Sequence, residues 1–383
     1  MIYLDNSATT KVDDNVIDLM TKVMREDFGN PSSKHMMGVV SERYLTEARE
    51  RIARTLRCQE KEILFTSGGT ESNNMALIGS AMANKRAGKH IISTAFEHAS
   101  VDSTLKFLED EGFEVTRLSV DDKGHINLDA LKAAIRPDTI LVSIIYVNNE
   151  MGAVQDISAI GKIIKDANPK TIFHVDAVQA YGKYEINPGR MKIDLLSVSA
   201  HKIHGPKGIG FLYIKSGTKI RPLILGGGQQ KGMRSGTDNV PGAAGLGLAA
   251  ENAYADLQDK TAYLESLKDR MIKGLKEMDV KVNSEEGGLS APHIVSATFA
   301  PVKSEVLLHA LEDKGIYVSA GSACSSNKKA GPSATLTAIG LDAKDADCTL
   351  RFSFSKYNTE EDVDETLAAL KELLPVLSKF VSK

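Results

Sequence analysis

Two histidines and two lysines crowd one turn of the chain, within LLSVSAHKIHGPKGIGFLYI (Leu195 to Ile214). The apolar run Asp194 to Ala200 before the turn and the run Ile209 to Ile214 after it each read as a buried strand. Lys202 therefore stands at a strand end, between His201 and a Gly205-Pro206 turn. A lysine that serves only solubility needs no such setting, whereas an amine that forms a Schiff base does. Four other strand ends carry polar groups. In FTSGGTESNN, the stretch Thr66 to Thr70 leads into a helix whose unpaired amides and dipole suit an anion. No GK[ST] follows, so this is not a Walker loop, and a Gly-rich turn by itself is more often just a turn. His98 follows a second strand in FEHAS, where alone it reads as a helix cap or a core histidine. Asn148, Asn149 and Glu150 follow a third in IIYVNNEMG, where two asparagines could simply make a turn. Asp176 and Gln179 close the set in FHVDAVQAYG. An aspartate at the end of an apolar strand is costly to bury unpaired, so a cationic or donor partner is expected for Asp176.

Together these groups are more specific than any one of them. Pyridoxal 5′-phosphate needs a Schiff-base lysine and a partner for its protonated ring nitrogen. It also calls for a cup for its phosphate and a flat group over its ring. Lys202, Asp176, the Thr66 to Thr70 turn and His98 match those four needs. A competing reading is a metal-dependent hydrolase with ligands drawn from His98, His174, Asp176, His201 and His204. His174 and Asp176 share a strand face, but His201 and His204 lie in a turn without helical spacing, and Lys202 is an odd neighbour for a cation. A non-catalytic binding module is a third class, and the number of polar strand ends argues against it. A separate segment, VSAGSACSSNKKAGPSATL (Val318 to Leu336), sets Cys324 among small residues. A structural cysteine prefers apolar packing. Here Lys328 and Lys329 could favour the thiolate, which is the form that attacks. Cys58 and Cys348 read as structural or incidental.

These groups need a scaffold. From residue 60 to about 215, strand-like runs alternate with helical stretches (Ser72 to Lys85, Ala99 to Glu111, Leu128 to Ile135, Ile157 to Asp166). Such alternation predicts α/β architecture, a largely parallel sheet with helices on both faces and function at the carboxyl ends of the strands. After about Ala250 the pattern shifts: one charged helix from Ala250 to Met278, short strands, a helix from Ser304 to Lys314, and a last helix opened by a Thr359–Asp362 capping box. This reads as a second, α+β domain. The 383 residues leave room for two moderate domains. A net charge of -3 gives no basic excess for nucleic acid or an anionic membrane. No apolar run is long enough to span a bilayer, and MIYLDNSATT does not read as a signal peptide. Three cysteines without CxxC spacing fit a reducing, cytoplasmic setting.

The strings IYLDNSATT, FGNPSS, ILFTSGGTESNN, EHAS, VNNEMGAVQD, HVDAVQAYGK, SAHKIHGPKGIG, GGGQQKGMRSGTDNV, VSAGSAC and LRFSFS, in this order from Ile2 to Ser355, resemble the cysteine desulfurases of the class V aminotransferase family. The long Ser-rich stretch around GSAC is similar to the group I form. The resemblance implies a fold type I pyridoxal-phosphate enzyme with a large domain over residues 13–257. Residues 1–12 and 258–383 then form a small domain that carries the catalytic cysteine. It implies that Lys202 bonds the cofactor, Asp176 pairs with the ring nitrogen, Gln179 meets the ring hydroxyl and His98 stacks on the ring and shuttles protons. Gly69, Thr70, Ser199 and His201 would hold the phosphate. Thr237 would reach the phosphate in a neighbouring subunit, which implies a homodimer. Asn149 and Arg351 would anchor the substrate carboxylate, a task suited to Arg. Cys324 would take sulfur from L-cysteine as a persulfide, leaving L-alanine. It would pass that sulfur to an acceptor protein for iron–sulfur cluster assembly, a thio-cofactor or tRNA thiolation. A transient iron–sulfur contact at Cys324 is the only metal role implied. A selenocysteine lyase or another β-eliminating lyase is the alternative within the fold. The sequence departs from the family in SSNKKAGPS, which is longer and more basic than the usual stretch ending EPS, and in Gln230, where an acidic residue is common. It ends in LSKFVSK, without the longer tail that some housekeeping members use to grip a scaffold.

Overall fold

The computed structural model describes residues 1–288, 290–320 and 333–380. A seven-stranded sheet forms its centre. In spatial order the strands are Ile63–Thr66, Gly210–Ile214, Leu195–Ser199, Ile172–Asp176, Thr139–Ile145, His90–Thr94 and Glu114–Leu118. Only Gly210–Ile214 runs against the others. The cause is the length of its connection. Parallel neighbours need a crossover of about a dozen or more residues, and the segment between Ser199 and Gly210 is too short for one. The turn that carries Lys202 is therefore a hairpin turn, and it reverses the chain.

The inner strands are buried on both faces, as helix-covered sheets require. Alternate residues supply the two faces. Phe65, Val142, Phe173, Val175, Leu196 and Phe211 join one core. Leu64, Leu141, Ile172, Leu195 and Leu212 join the other. The first core is closed by the helices Met36–Leu56 and Val240–Tyr254, which approach closely at Gly247. A Cβ there would lie 2.6 Å from the Ala48 Cα.

A four-stranded antiparallel sheet follows, in the order Ser319–Ala320, Thr349–Ser353, Ile294–Thr298 and Lys281–Val282. The helices Leu257–Glu277, Ser304–Glu312 and Glu360–Leu377 accompany it, with a core of their own around Leu267, Val295, Leu307, Phe352 and Leu370. The chain start belongs to this core: Ile2–Tyr3 pairs in parallel with Ile316–Tyr317, and Leu4 is fully buried there.

One expectation is corrected. The single helix from Ala250 to Met278 is two helices, Val240–Tyr254 and Leu257–Glu277. The chain breaks at Ala255 and Asp256, where Asp256 takes a left-handed conformation (φ 52°), a region that Asp tolerates better than most residues. The capping box at Thr359 is present: the Asp362 amide donates to Thr359 Oγ1 at 3.2 Å, and the Thr359 amide donates to Asp362 Oδ2 at 3.1 Å. Pro375 lies in the last turn of the helix Glu360–Leu377 without ending it. Replacing Thr359 by Ala should lower stability by about 1 kcal/mol in urea unfolding. An unchanged midpoint would show that the cap contributes nothing.

Candidate active site

The strand Leu195–Ser199 ends in a single 3-10 turn, Ala200–Lys202. The Gly205 amide donates back to the Ala200 carbonyl at 3.0 Å, and a Cβ on Gly205 would sit 2.9 Å from the Ala200 Cβ. Only glycine closes the turn this tightly. The segment Ser7–Lys11 crosses the turn. The Thr10 amide donates to the His201 carbonyl at 2.9 Å, and the His204 amide donates to Thr10 Oγ1 at 2.8 Å. The Lys202 ammonium donates to the Ser7 carbonyl and to the Ala8 carbonyl, the latter at 2.8 Å.

Lys202 opens into a cavity of about 450 Å³ at the carboxyl end of the central sheet. His98, Asp176, Gln179, Asn149 and Arg351 line it, as do Gly69, Thr70, Ser199 and His201. Thr237 does not; it is exposed in the segment before the helix Val240–Tyr254. Cys324 lies outside the described residues.

Asp176 is the last residue of its strand and is 2% exposed. Its Oδ2 accepts from Asn73 Nδ2 at 2.8 Å, and its Oδ1 accepts from the Val178 amide at 3.0 Å. The same Asn73 nitrogen donates to Ser100 Oγ at 2.8 Å, and Ser100 Oγ lies 2.8 Å from His98 Nδ1. The Ser100 amide donates to His98 Nδ1 at 3.1 Å, so Nδ1 is the acceptor and the neutral ring carries its proton on Nε2. Asp176 and His98 are thus the ends of one hydrogen-bonded chain. Asn73 Oδ1 is buried and has no partner in this network.

Gln179 donates through Nε2 to the Ser7 carbonyl at 2.9 Å, with His293 Nε2 at 3.4 Å from its Oε1. The helix Gly69–Asn84 starts at the cavity wall. A Cβ on Gly69 would meet Val178 Cγ2 at 2.8 Å, so the backbone comes closer here than another residue would allow. His201 is pushed down to about 4 by burial and by the Lys202 and Lys207 charges; it is neutral at pH 7. The Arg351 guanidinium pairs with Asp5 at 2.7 Å and donates to the Asn149 carbonyl at 2.7 Å, while its buried Nε has no partner. Asn149 therefore acts on Arg351 through its main chain.

The metal-site reading loses its ligands. Serine hydroxyls flank both nitrogens of His174, at 2.8 Å (Ser143) and 2.9 Å (Ser197), and burial pushes the ring down to about 3. His204 Nδ1 donates to the Lys11 carbonyl at 2.8 Å. Among the described residues no group of three or more His, Cys, Asp or Glu could hold a metal ion. Burial pushes the Cys58 thiol up to about 12 and raises that of Cys348.

The parts fit pyridoxal phosphate: an amine in the cavity, a buried carboxylate held by neutral donors, and a glycine cradle at a helix start. Residues 2–366 match the family model described as Aminotransferase class-V. The chain belongs to that family. It is 45% identical to "Cysteine desulfurase IscS" of Methanosarcina thermophila, over 98% of this chain and 92% of that one. A solved "NIFS-LIKE PROTEIN" superposes with a TM-score of 0.93 at 39% identity, over 98% of this chain and all of the other. A structure described as "SspA in complex with cysteine" gives a TM-score of 0.81 at 35% identity, over 94% and 100% of the two chains. Within the class V aminotransferases, the chain falls in the cysteine desulfurase group.

Sequence reasoning passed over four groups. Asn73 stands one helical turn beyond Gly69 in GGTESNN and so shares its face. Ser100 and Asp5 are visible only through their tertiary partners. Glu97, beside His98, is buried: Oε1 accepts from Thr94 Oγ1 at 2.7 Å and from the Ile145 amide at 3.0 Å, and Oε2 has no partner. Burial, aided by Asp176, pushes its carboxyl up to about 8. The folded protein keeps Glu97 protonated where the unfolded chain has released the proton. Stability should therefore fall as pH rises from about 4.5 to about 8, by up to about 1.4 kcal/mol per pH unit. Glu97→Gln should flatten that slope and stabilise the protein above pH 8. Parallel stability–pH curves for the two proteins would refute a protonated Glu97.

Proposed function

We propose that the chain converts L-cysteine to L-alanine as a cysteine desulfurase, with pyridoxal 5′-phosphate as cofactor and Cys324 as sulfur carrier. The observation that carries this reading is the chain Asp176–Asn73–Ser100–His98, set in the same cavity as Lys202. Bound pyridoxal phosphate supplies an electron sink for the bonds at the substrate α-carbon. Asp176, oriented by Asn73 and the Val178 amide, holds a proton on the ring nitrogen. Gly69, Thr70, Ser199 and neutral His201 hold the phosphate by hydrogen bonds. Gln179 meets the ring hydroxyl. Lys202 holds the cofactor and, once released, takes the proton from the substrate α-carbon. His98 carries protons at Nε2. Arg351, backed by Asp5 and the Asn149 carbonyl, receives the substrate carboxylate.

The Cys324 thiolate attacks the substrate sulfur. The sulfur–sulfur bond forms as the carbon–sulfur bond breaks, and the electron pair leaves with the alanine portion, which takes up protons. The balance is L-cysteine plus a thiol giving L-alanine plus a persulfide.

The wider reading includes the division into residues 13–257 and residues 1–12 with 258–383. The separate cores and the seating of Leu4 in the second support it. It also includes a homodimer in which Thr237 reaches the partner's cofactor phosphate, as its exposed position allows. A sulfur-acceptor protein and a cytoplasmic setting complete it. No helix among the described residues is long and apolar enough to cross a membrane.

The decisive experiment follows the visible spectrum of the purified protein as L-cysteine is added, with sulfide and alanine assayed together. Cys324→Ala should keep the pyridoxal band and its response to cysteine but lose alanine and sulfide formation by at least about a hundredfold. Lys202→Ala should lose the borohydride-sensitive band. Full cysteine turnover by Cys324→Ala would remove Cys324 from the reaction. Faster turnover of selenocysteine, unaffected by that substitution, would favour the lyase alternative.

A further inference from the structure

A second lysine lies behind the first. Lys183 follows Gln179 by four residues, and its half-buried side chain turns back so that its ammonium donates to the main-chain carbonyl of Lys202 at 3.2 Å. Its own main chain is fixed on both sides. The Lys183 amide donates to the Ala180 carbonyl at 3.0 Å, and Thr261 Oγ1 donates to the Lys183 carbonyl at 3.1 Å. Among the described residues no carboxylate lies within ion-pair distance of Lys183. The charged and titratable groups that act on it are Lys202 and Lys356, and it acts in turn on His204 and His293. Lys356 is neutralised by Asp13, whose Oδ2 lies 2.7 Å from its ammonium. On the cavity side Lys202 shares its space with His98, His201, Asp176, Asp5 and Arg351, and Asp5 is paired with Arg351.

We propose that Lys183 is a positioning residue for Lys202: it anchors the carbonyl of the reactive lysine and sets a second, unpaired positive charge behind its amine. A buried cation beside another disfavours protonation of both. The same burial, with the Lys202 and Lys356 charges, pushes Lys183 down to about 8. Lys183 thus gains its charge as pH falls through that value, and the bias against protonating Lys202 strengthens over the same range. The result is an amine ready to form and re-form a bond to a carbonyl near neutral pH, which a fully protonated lysine cannot do.

This inference rests on Lys202 being the cofactor lysine. The test is a pH titration of the visible band of the cofactor–lysine linkage in the holoenzyme, for the native protein, Lys183→Met, Lys183→Gln and Lys183→Arg, with a thermal melt of each. Lys183→Met removes charge and donor at similar volume, Lys183→Gln keeps a donor without charge, and Lys183→Arg keeps both. The protonation midpoint should rise by about 0.5 to 1 pH unit in the Met and Gln variants and stay near the native value in the Arg variant. If Lys183→Met fails to fold, the comparison of Gln with Arg decides. A midpoint unmoved in the Gln variant, with the band intact, would overturn the inference and leave the assignment of Lys202 standing. A native protein without any pyridoxal band would overturn both.

Discussion

A carboxylate sealed at the end of a strand must be answered by donors, and the answer to Asp176 organises the site. An ionised group this buried costs several kcal/mol unless hydrogen-bonded. Two neutral donors, the Asn73 amide and the Val178 main chain, satisfy it without placing a cation beside it. A cation there would instead tie the carboxylate up in an ion pair. Because Asn73 has a second hydrogen to give, it passes the constraint on to Ser100 and through it to His98. One buried charge fixes the rotamers of three side chains, one on the helix Gly69–Asn84 and two at the start of the helix Ala99–Asp110.

The segment Met1–Thr10 is the other organising piece. Its first residues are part of the second core, through Leu4 and the pairing of Ile2–Tyr3. Its later residues lie on the Lys202 turn, with the Ser7 and Ala8 carbonyls accepting from the amine. Asp5 holds Arg351, which comes from the second sheet. Asn6 donates to the Ser353 carbonyl at 2.9 Å and to Asn358 Oδ1 at 3.1 Å. The cavity is therefore walled by both cores, and ten residues of chain hold the two walls in register.

Much of this was legible in the sequence because the signals are local. A polar residue directly after an apolar strand marks itself, and five such ends carried Lys202, His98, Asp176, Asn149 and the Gly69 turn to one side of the sheet. The reversal of Gly210–Ile214 could be read from chain length alone, since ten residues cannot cross over and return in parallel. What was not legible is tertiary. Nothing near Asn73 says that its amide will meet Asp176, more than a hundred positions away. Nothing near Asn149 says that its carbonyl will accept from Arg351, two hundred positions away. The break at Asp256 escaped because helical periodicity continues on both sides of it, and a single left-handed residue leaves no trace in the pattern of apolar residues. The role of Gln230 was hidden for the same reason: its amide accepts from the Phe65 amide at 2.8 Å and donates to the Phe65 carbonyl at 3.0 Å, standing in for a missing neighbour on an edge strand. A carboxylate at that position could accept but not donate, so the departure from the family's acidic residue has a structural use.

The charges of the cavity are kept apart by sign and by distance. Arg351 and Asp5 form a pair at one end, and with the Asn149 carbonyl the carboxylate fixes the orientation of the guanidinium. Asp176 stands at another wall, insulated by amides. Where a phosphate would lie, the fold offers a helix start, hydroxyls and a histidine held neutral by burial and by its lysine neighbours. That arrangement offers an anion dipoles, with the Lys202 and Lys207 ammonium groups beside it. Burial that pushes His201 down therefore leaves a neutral imidazole at the cup, a hydrogen-bonding group rather than a second charge beside the lysines.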